Sequence, residues 1–351
     1  MRIAWFHKKS LFLFLIPPVL GGAAAPGYAQ QDLLPLRLNL VASLNKLIFL
    51  VAYEQGIYKK NGLDVKITIT PVTSDGAKKS GVEVPPEFRR SANKYDMTPD
   101  VENPITIGGG GVNIVSQVTN ARAVKSVILA STDDMANYSI ISRNDITKPE
   151  QLKGKRLGYS SYGTTSHYQA LVFAQKMGWD PNLDISLMNN AMDVDILRKG
   201  AVDAFVTDEL GSAVAMSAGF HQLVNFYDWK IPMVGNGVNA DRAWLQNHRE
   251  TARRFIKSVV EAIAVMKNDK GVVFRIIAKD YGITDPELQQ RFYTPMVNLP
   301  RKPYPAVEGI KAQMRIFDSH EMRQHKPEDF YDDSFVRELD SSGFIDSLYK
   351  R

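Results

Sequence analysis

The sequence predicts an α/β protein with a parallel sheet, followed by a helical C-terminal segment. Three stretches carry that reading. Leu36-Arg37-Leu38-Asn39-Leu40 alternates apolar and polar residues as a half-buried strand does; a helix over residues 47–58 and a β-branched strand over 65–70 follow it. Residues 148–178 hold a further strand, polar turn and helix. From Arg242 to Met266, apolar residues recur at helical spacing, and helical patterns continue to Tyr349. A β-α-β opening favours a parallel sheet, and ligands of such sheets bind beyond the strand C-termini. At 351 residues the chain is long enough for two domains of ordinary size.

Taken in order, Ser43 to Lys46 occupies that ligand-facing position after the first strand. Ser43, Asn45 and the nearby aromatic Phe49 are therefore candidate contacts. Pro71 to Pro104 is rich in Pro, Lys and Ser, shows little hydrophobic periodicity, and reads as a surface insertion. Ile105-Thr106-Ile107 is a strand, and Gly108 to Gly111 lead into a helix from Val112 to about Asn120. Glycines let backbone N–H groups approach a ligand, which makes Gly109 and Gly110 candidates; a tight strand-to-helix turn is the alternative. No Gly-Lys-Ser/Thr follows, so this is not a P-loop, and the spacing is not that of a dinucleotide fingerprint. Val127 to Ala130 and Tyr138 to Ser142 are further strand candidates.

In the 148–178 unit, Arg156-Leu157-Gly158-Tyr159 is a strand candidate, Ser160 to Ser166 is small and hydroxylated, and Ala170, Leu171, Phe173, Ala174 and Met177 mark a helix. Thr164, Thr165 and Ser166 stand where that helix leaves its first N–H groups unpaired, a place that receives an anionic or polar ligand group. An ordinary N-cap uses the same residue types.

Residues 1–30 hold Arg2, Lys8 and Lys9 and no acid, then an apolar run from Leu11 to Leu20 and the small-residue pattern Gly27-Tyr28-Ala29. This is the pattern of a cleaved secretory signal peptide over residues 1–29. Beyond it, 40 basic residues face 38 acidic ones, a balance that does not suggest a nucleic-acid binder. There is no cysteine, so neither disulfides nor thiolate metal sites nor a lipid-modified cysteine anchor is expected.

Several phrases together resemble a known family. They are Tyr53-Glu-Gln-Gly-Ile-Tyr-Lys-Lys-Asn-Gly-Leu-Asp-Val65, the Pro149-Glu-Gln-Leu-Lys-Gly-Lys-Arg-Leu-Gly158 run, the Gly163-Thr-Thr-Ser166 helix start, and Gly200-Ala-Val-Asp-Ala204. The chain resembles the substrate-binding proteins of ABC importers, in the thiamine-precursor, sulfonate and nitrate-binding (NMT1/THI5-like) group. The resemblance implies two Rossmann-like domains around a ligand cleft, the type II periplasmic binding protein fold. It implies a discontinuous first domain (residues 32–132 and 230–351), a second domain (residues 133–229), and two crossovers between them. It further implies a periplasmic, monomeric protein that captures a small organic or anionic solute and delivers it to a membrane permease, without a cofactor. Glu209 matches a Glu common in the family after the Asp203-Ala204 strand; Asp208 stands where relatives often carry an aromatic residue, either as a pocket group or as an N-cap. Tyr138 and Tyr162 are candidate stacking partners.

No catalytic or metal-binding constellation stands out. The six histidines form neither His-x-x-x-His nor His-Glu-x-x-His, and no Gly-x-Ser-x-Gly elbow occurs. The acidic pairs Asp133-Asp134, Asp208-Glu209 and Asp332-Asp333 are adjacent, so their side chains point different ways. A thiamine-pyrimidine-synthase-like enzyme, whose relatives carry a Cys-rich iron motif, and an exported ligand sensor are the alternatives to a transport protein.

Overall fold

The computed structural model describes residues 33–42, 46–71, 99, 103–121 and 124–350. Residues 1–29, where the signal-peptide expectation falls, Ser43, Asn45 and most of the 71–104 stretch lie outside them. Strand β1 (Leu34–Ala42) pairs in parallel with β2 (Leu63–Pro71), with Leu36 opposite Val65. Leu36, Leu38 and Leu40 point into the core, while Arg37 and Asn39 stay exposed, as the alternation requires. The intervening helix is shorter than the periodicity predicts. α1 (Leu47–Glu54) stops at Gln55-Gly56, and α2 (Ile57–Lys60) restarts the chain to bury Ile57 and Tyr58.

β3 (Ile105–Ile107) leads through the glycines into α3 (Gly110–Ser116), which continues as a wider turn over Gln117–Ala121. β4 (Ser126–Ser131) is buried along its whole length. From these two small sheets, β1 with β2 and the one holding β3 and β4, which share the first layer, the chain passes to a five-stranded sheet, the second layer's and hereafter the second sheet. β5 (Ser139–Ser142), β6 (Arg156–Gly158), β7 (Ser186–Met188), β8 (Ala204–Thr207) and β9 (His221–Asn225) lie there in the order β7-β6-β8-β5-β9. β6 runs parallel to β7 and β8; β5 is antiparallel to β8 and β9. α4 (Thr165–Lys176), α5 (Val194–Arg198) and α6 (Glu209–Ser217) connect these strands.

The return strand β10 (Gly237–Asp241) inserts antiparallel between β3 and β4. It starts only at Gly237 because residues 231–236 hydrogen-bond to the outgoing segment instead. α7 (Arg242–Asn268), kinked at His248, buries Phe255, Val259, Ala262, Ile263 and Met266 along one stripe. α8 (Lys270–Tyr281), α9 (Pro286–Met296), α10 (Val307–Ile316), α11 (Ser334–Ser341) and α12 (Phe344–Ser347) complete the chain.

One apolar core joins β1 to β4 with α1, α7, α8 and α9. A second holds Leu157, Tyr168 and Phe173 of the second sheet's layer together with Ile114 and Val115 of α3 and Ile310 and Phe317 of the α10 region. α10 touches both α3 and α4. Residues 33–351 thus form one compact unit. Among the described residues, no helix is long and apolar enough to cross a membrane.

Candidate functional site

Two segments carry the chain between the sheets, residues 132–138 outward and 226–236 on return, and they run side by side. Thr132 N donates to Asn236 O (2.9 Å), Met233 N to Asp134 O (2.9 Å) and Ala136 N to Ile231 O (2.8 Å). Met135 and Pro232 form an antiparallel bridge. Neither segment has a sheet neighbour to satisfy its backbone, so each satisfies the other.

This pair positions a charged cluster. Asp133, on the outward segment, accepts from the backbone N and from Nδ2 (3.0 Å) of Asn236 on the return segment, and from Asn137 Nδ2 (3.3 Å). Lys46, at the start of α1 and only 5 % exposed, donates to Asn236 Oδ1. Two glycines leave room for these charges. A side chain on Gly235 would overlap the Asp133 carboxylate, and one on Gly108, whose φ is +96°, would overlap the Lys46 ammonium. Asp208 sits at the N-cap of α6, where it accepts from Gly211 N (2.8 Å), and Glu209 opens the helix.

Burial sets the electrostatics. It pulls the Lys46 amine down to about 8, against the opposing effect of Asp133 and Asp208. It holds the Asp133 and Asp208 carboxyls above the usual range, although Asn236 and Lys46 on the first, and the α6 N–H groups on the second, pull the other way. Glu209 is pushed up to about 8, first by burial and then by the negative charge of Asp208.

A cleft opens beside this cluster. Its polar floor is Thr132, Asp133, Asn137, Glu209 and Asn236. Its apolar wall is Ile48 of α1, Met266 of α7, Phe292, Pro295 and Met296 of α9, and Leu299. Residues from both sheets' layers and from both crossing segments therefore meet at one opening. The buried Asn137 Oδ1 has no hydrogen-bond partner among the described residues.

Of the residues singled out from sequence, Glu209 lines this cleft and Asp208 lies within the electrostatic reach of Lys46. Asp208 is also the helix cap. Gly109 is the N-cap of α3, and Gly110 packs on the return segment, its N donating to Gly235 O (3.3 Å). Tyr138 is half-buried at the edge of the second core, its backbone N donating to Gln169 Oε1 (3.1 Å). Phe49 does not reach the cleft. It is fully buried and stacks on Phe255 (6.2 Å, 11°), because α1 is apolar on every side and turns Phe49 into the first core.

The Ser160–Ser166 turn is closed on itself. Ser160 N donates to Ser166 Oγ (2.9 Å), and Ser160 Oγ bonds to Thr164 Oγ1 (2.8 Å) and Ser166 Oγ (2.7 Å). Thr164 Oγ1 donates to Ser161 O (2.6 Å) and accepts from His167 N (3.4 Å), so it caps α4. Thr165 is the first residue of α4 and half-buried. Tyr162 is exposed and packs against His167 (5.2 Å) and edge-on against Phe317 (5.6 Å). This turn belongs to the packing between α4, α3 and α10, and it does not line the cleft at the crossing segments. Ser166→Ala is therefore expected to lose about 1–2 kcal/mol of stability, because Ser160 N is left without its acceptor. Urea denaturation measures this, and solute affinity in the cleft should stay unchanged. A variant that melts normally and binds tenfold more weakly would return the turn to the binding site.

Lys46 closes the ligand-facing turn that the sequence indicates, without being singled out as a contact; Asp133, Asn137, Asn236 and the apolar wall are not among the residues that sequence reasoning selects. Asp133 is visible only as half of an adjacent acidic pair, and its partner lies 103 positions away. No group of three or more His, Asp or Glu side chains among the described residues is placed to hold a metal ion.

Residues 111–270 match the family model described as NMT1/THI5 like. Solved structures show the same fold. One is the periplasmic aliphatic sulphonate binding protein SsuA of Escherichia coli, with 17% identity, TM-score 0.60, 81% of this chain and 85% of that one covered. A second is the periplasmic nitrate-binding protein NrtA of Synechocystis PCC 6803, with 12% identity, TM-score 0.61 and 89% of each chain covered. A third is the desulfurization enzyme DSZB, with 12% identity, TM-score 0.55, 88% of this chain and 99% of that one covered. No curated protein matches by sequence.

Proposed function

From its NMT1/THI5-like segment and its type II periplasmic binding fold, we propose that this chain is an extracytoplasmic solute-binding protein. It captures a small solute in the cleft at the crossing segments and delivers it to the permease of an ABC importer. One observation carries the reading: Ile48 and Phe292 from the first layer, Glu209 from the second, and Asp133 and Asn236 from the two crossing segments line a single opening. That is where any rotation of one sheet against the other changes the geometry most, so a solute bound there is sensed as closure. The same geometry supports a domain division at residues 132/133 and 229/230, and the segment over residues 1–29 would supply export. A fold shared with DSZB does not by itself separate binder from enzyme. The preference for a binder rests on a cleft in which Asp133, Asn137 and Asn236 tie the two crossing segments together beside an apolar wall.

The test is a melting-temperature screen of the exported protein against neutral, anionic and cationic solutes. A solute at 100 times its dissociation constant should stabilise the protein by about 2.7 kcal/mol. It should be recovered unchanged after incubation with stoichiometric protein. Chemical conversion of a bound solute, or protein confined to the cytoplasm with residues 1–29 intact, would reject the reading.

A further inference from the structure

The donors and acceptors on the cleft floor do not balance. Each donor group there already bonds another group of the floor. Asn137 Nδ2 and Asn236 Nδ2 both serve Asp133 (3.3 Å and 3.0 Å), and Thr132 Oγ1 serves Asn236 O (3.2 Å). The Lys46 ammonium behind them is held by Asn236 Oδ1. What remains is acceptor capacity. Asn137 Oδ1 is buried with no partner among the described residues, and the Glu209 carboxyl draws on its own backbone N–H. An ionised carboxylate offers about four lone-pair sites, so Asp133 also retains capacity.

Charge points the same way. Asp133 and Asp208 share the buried cation Lys46, and Glu209 lies within reach of both carboxylates. An anionic solute would add negative charge beside Asp133 and Asp208 in a poorly solvated place, and would draw its donors from groups that already bond one another. A protonated amine brings two or three N–H donors and the missing positive charge. The opposite wall of aliphatic side chains, Met266 and Phe292 is suited to an uncharged hydrocarbon body.

We infer that the cleft binds a small primary or secondary organic amine, its ammonium group seated among Asp133, Asn137 and Glu209 and its apolar body against the α7–α9 wall. The inference rests on the solute-binding reading above and names the class of solute. Because recognition runs through N–H donors, a quaternary ammonium of the same body satisfies the charge and leaves Asn137 Oδ1 unpaired, so it binds more weakly.

The experiment uses matched probes on the full-length protein, by calorimetry and thermal shift: butylamine and benzylamine, their quaternary trimethylammonium counterparts, butanesulfonate, toluenesulfonate, nitrate and benzyl alcohol. At least one primary amine should bind saturably and more tightly than its quaternary counterpart. Glu209→Gln should weaken that binding by about tenfold or more while melting, without probe, at or above the wild-type temperature. Asp133→Asn provides a second variant with the same expected loss. Binding of a sulfonate, nitrate or the alcohol with no amine bound overturns the solute class and leaves solute capture standing. Binding of no probe at all overturns both readings. Equal binding of primary and quaternary amines, or amine binding untouched by both variants, overturns the seat assigned to the ammonium group.

Discussion

Asn236→Leu is expected to lower the unfolding free energy by about 3–5 kcal/mol. Asn236 is 6 % exposed and serves both signs of charge at once: its Oδ1 accepts from the Lys46 ammonium, and its Nδ2 and backbone N donate to Asp133. Leucine keeps the branching and the number of side-chain heavy atoms and has no polar atom. It leaves a buried ammonium with no acceptor and removes one of the donors that hold the Asp133 carboxylate. Removing one member of a buried network is more damaging than replacing the network as a whole, because uncompensated charges stay behind. Urea denaturation at neutral pH measures the loss. The triple variant Lys46→Met, Asp133→Leu, Asn236→Leu should recover a large part of it. A single-variant loss below about 1 kcal/mol would mean that water already solvates these charges.

The second large effect is acid destabilisation through His167. The ring is 6 % exposed, stacked on Tyr159 (4.3 Å, 13°) and flanked by Tyr162 and Phe317. Its Nδ1 accepts from Gly163 N (3.1 Å), so the neutral ring is the one that fits. Burial pulls its pKa from 6.5 down to about 4. The unfolded chain takes up a proton near 6.5 and the folded chain only near 4, so between those values protons favour unfolding. The contribution is complete above pH 6.5 and is lost as pH falls to about 4, a total of roughly 3 kcal/mol. His167→Gln should flatten that part of the stability profile relative to the wild type. Parallel profiles for the two proteins between pH 7 and 4.5 would show that the ring titrates in solvent.

Much of the framework was legible because its signals are local. The alternation at Leu36, Leu38 and Leu40, the helical stripe ending at Met266, and the capping chemistry at Thr164 and Asp208 depend on neighbours a few residues apart. The candidate site was much less legible. Phe49 looked like a stacking aromatic beside a ligand turn, but Leu47 to Ala52 are all buried, and a helix apolar all round belongs to a core. The hydroxyls of Ser160 to Ser166 looked free for a ligand because sequence does not reveal that they would satisfy one another. Asp133 was set aside for sitting next to Asp134. The two do diverge, with Asp134 exposed, and what sequence could not supply was Asn236 and Lys46 arriving from distant parts of the chain.

The second apolar core has a dynamic consequence. Val115 of α3 and Phe317 beyond α10 lie against Gly163 and Tyr162 at the head of α4. Swinging the second sheet away exposes that contact to water before a solute gains anything in return. If the chain captures solute by closure, the fraction of molecules open at any instant is reduced accordingly, and apparent affinity falls by the same factor. Loading should then level off as solute concentration rises, its ceiling set by how often α4 parts from α3 and α10 rather than by encounter. Truncating Phe317, far from the cleft, should raise that ceiling.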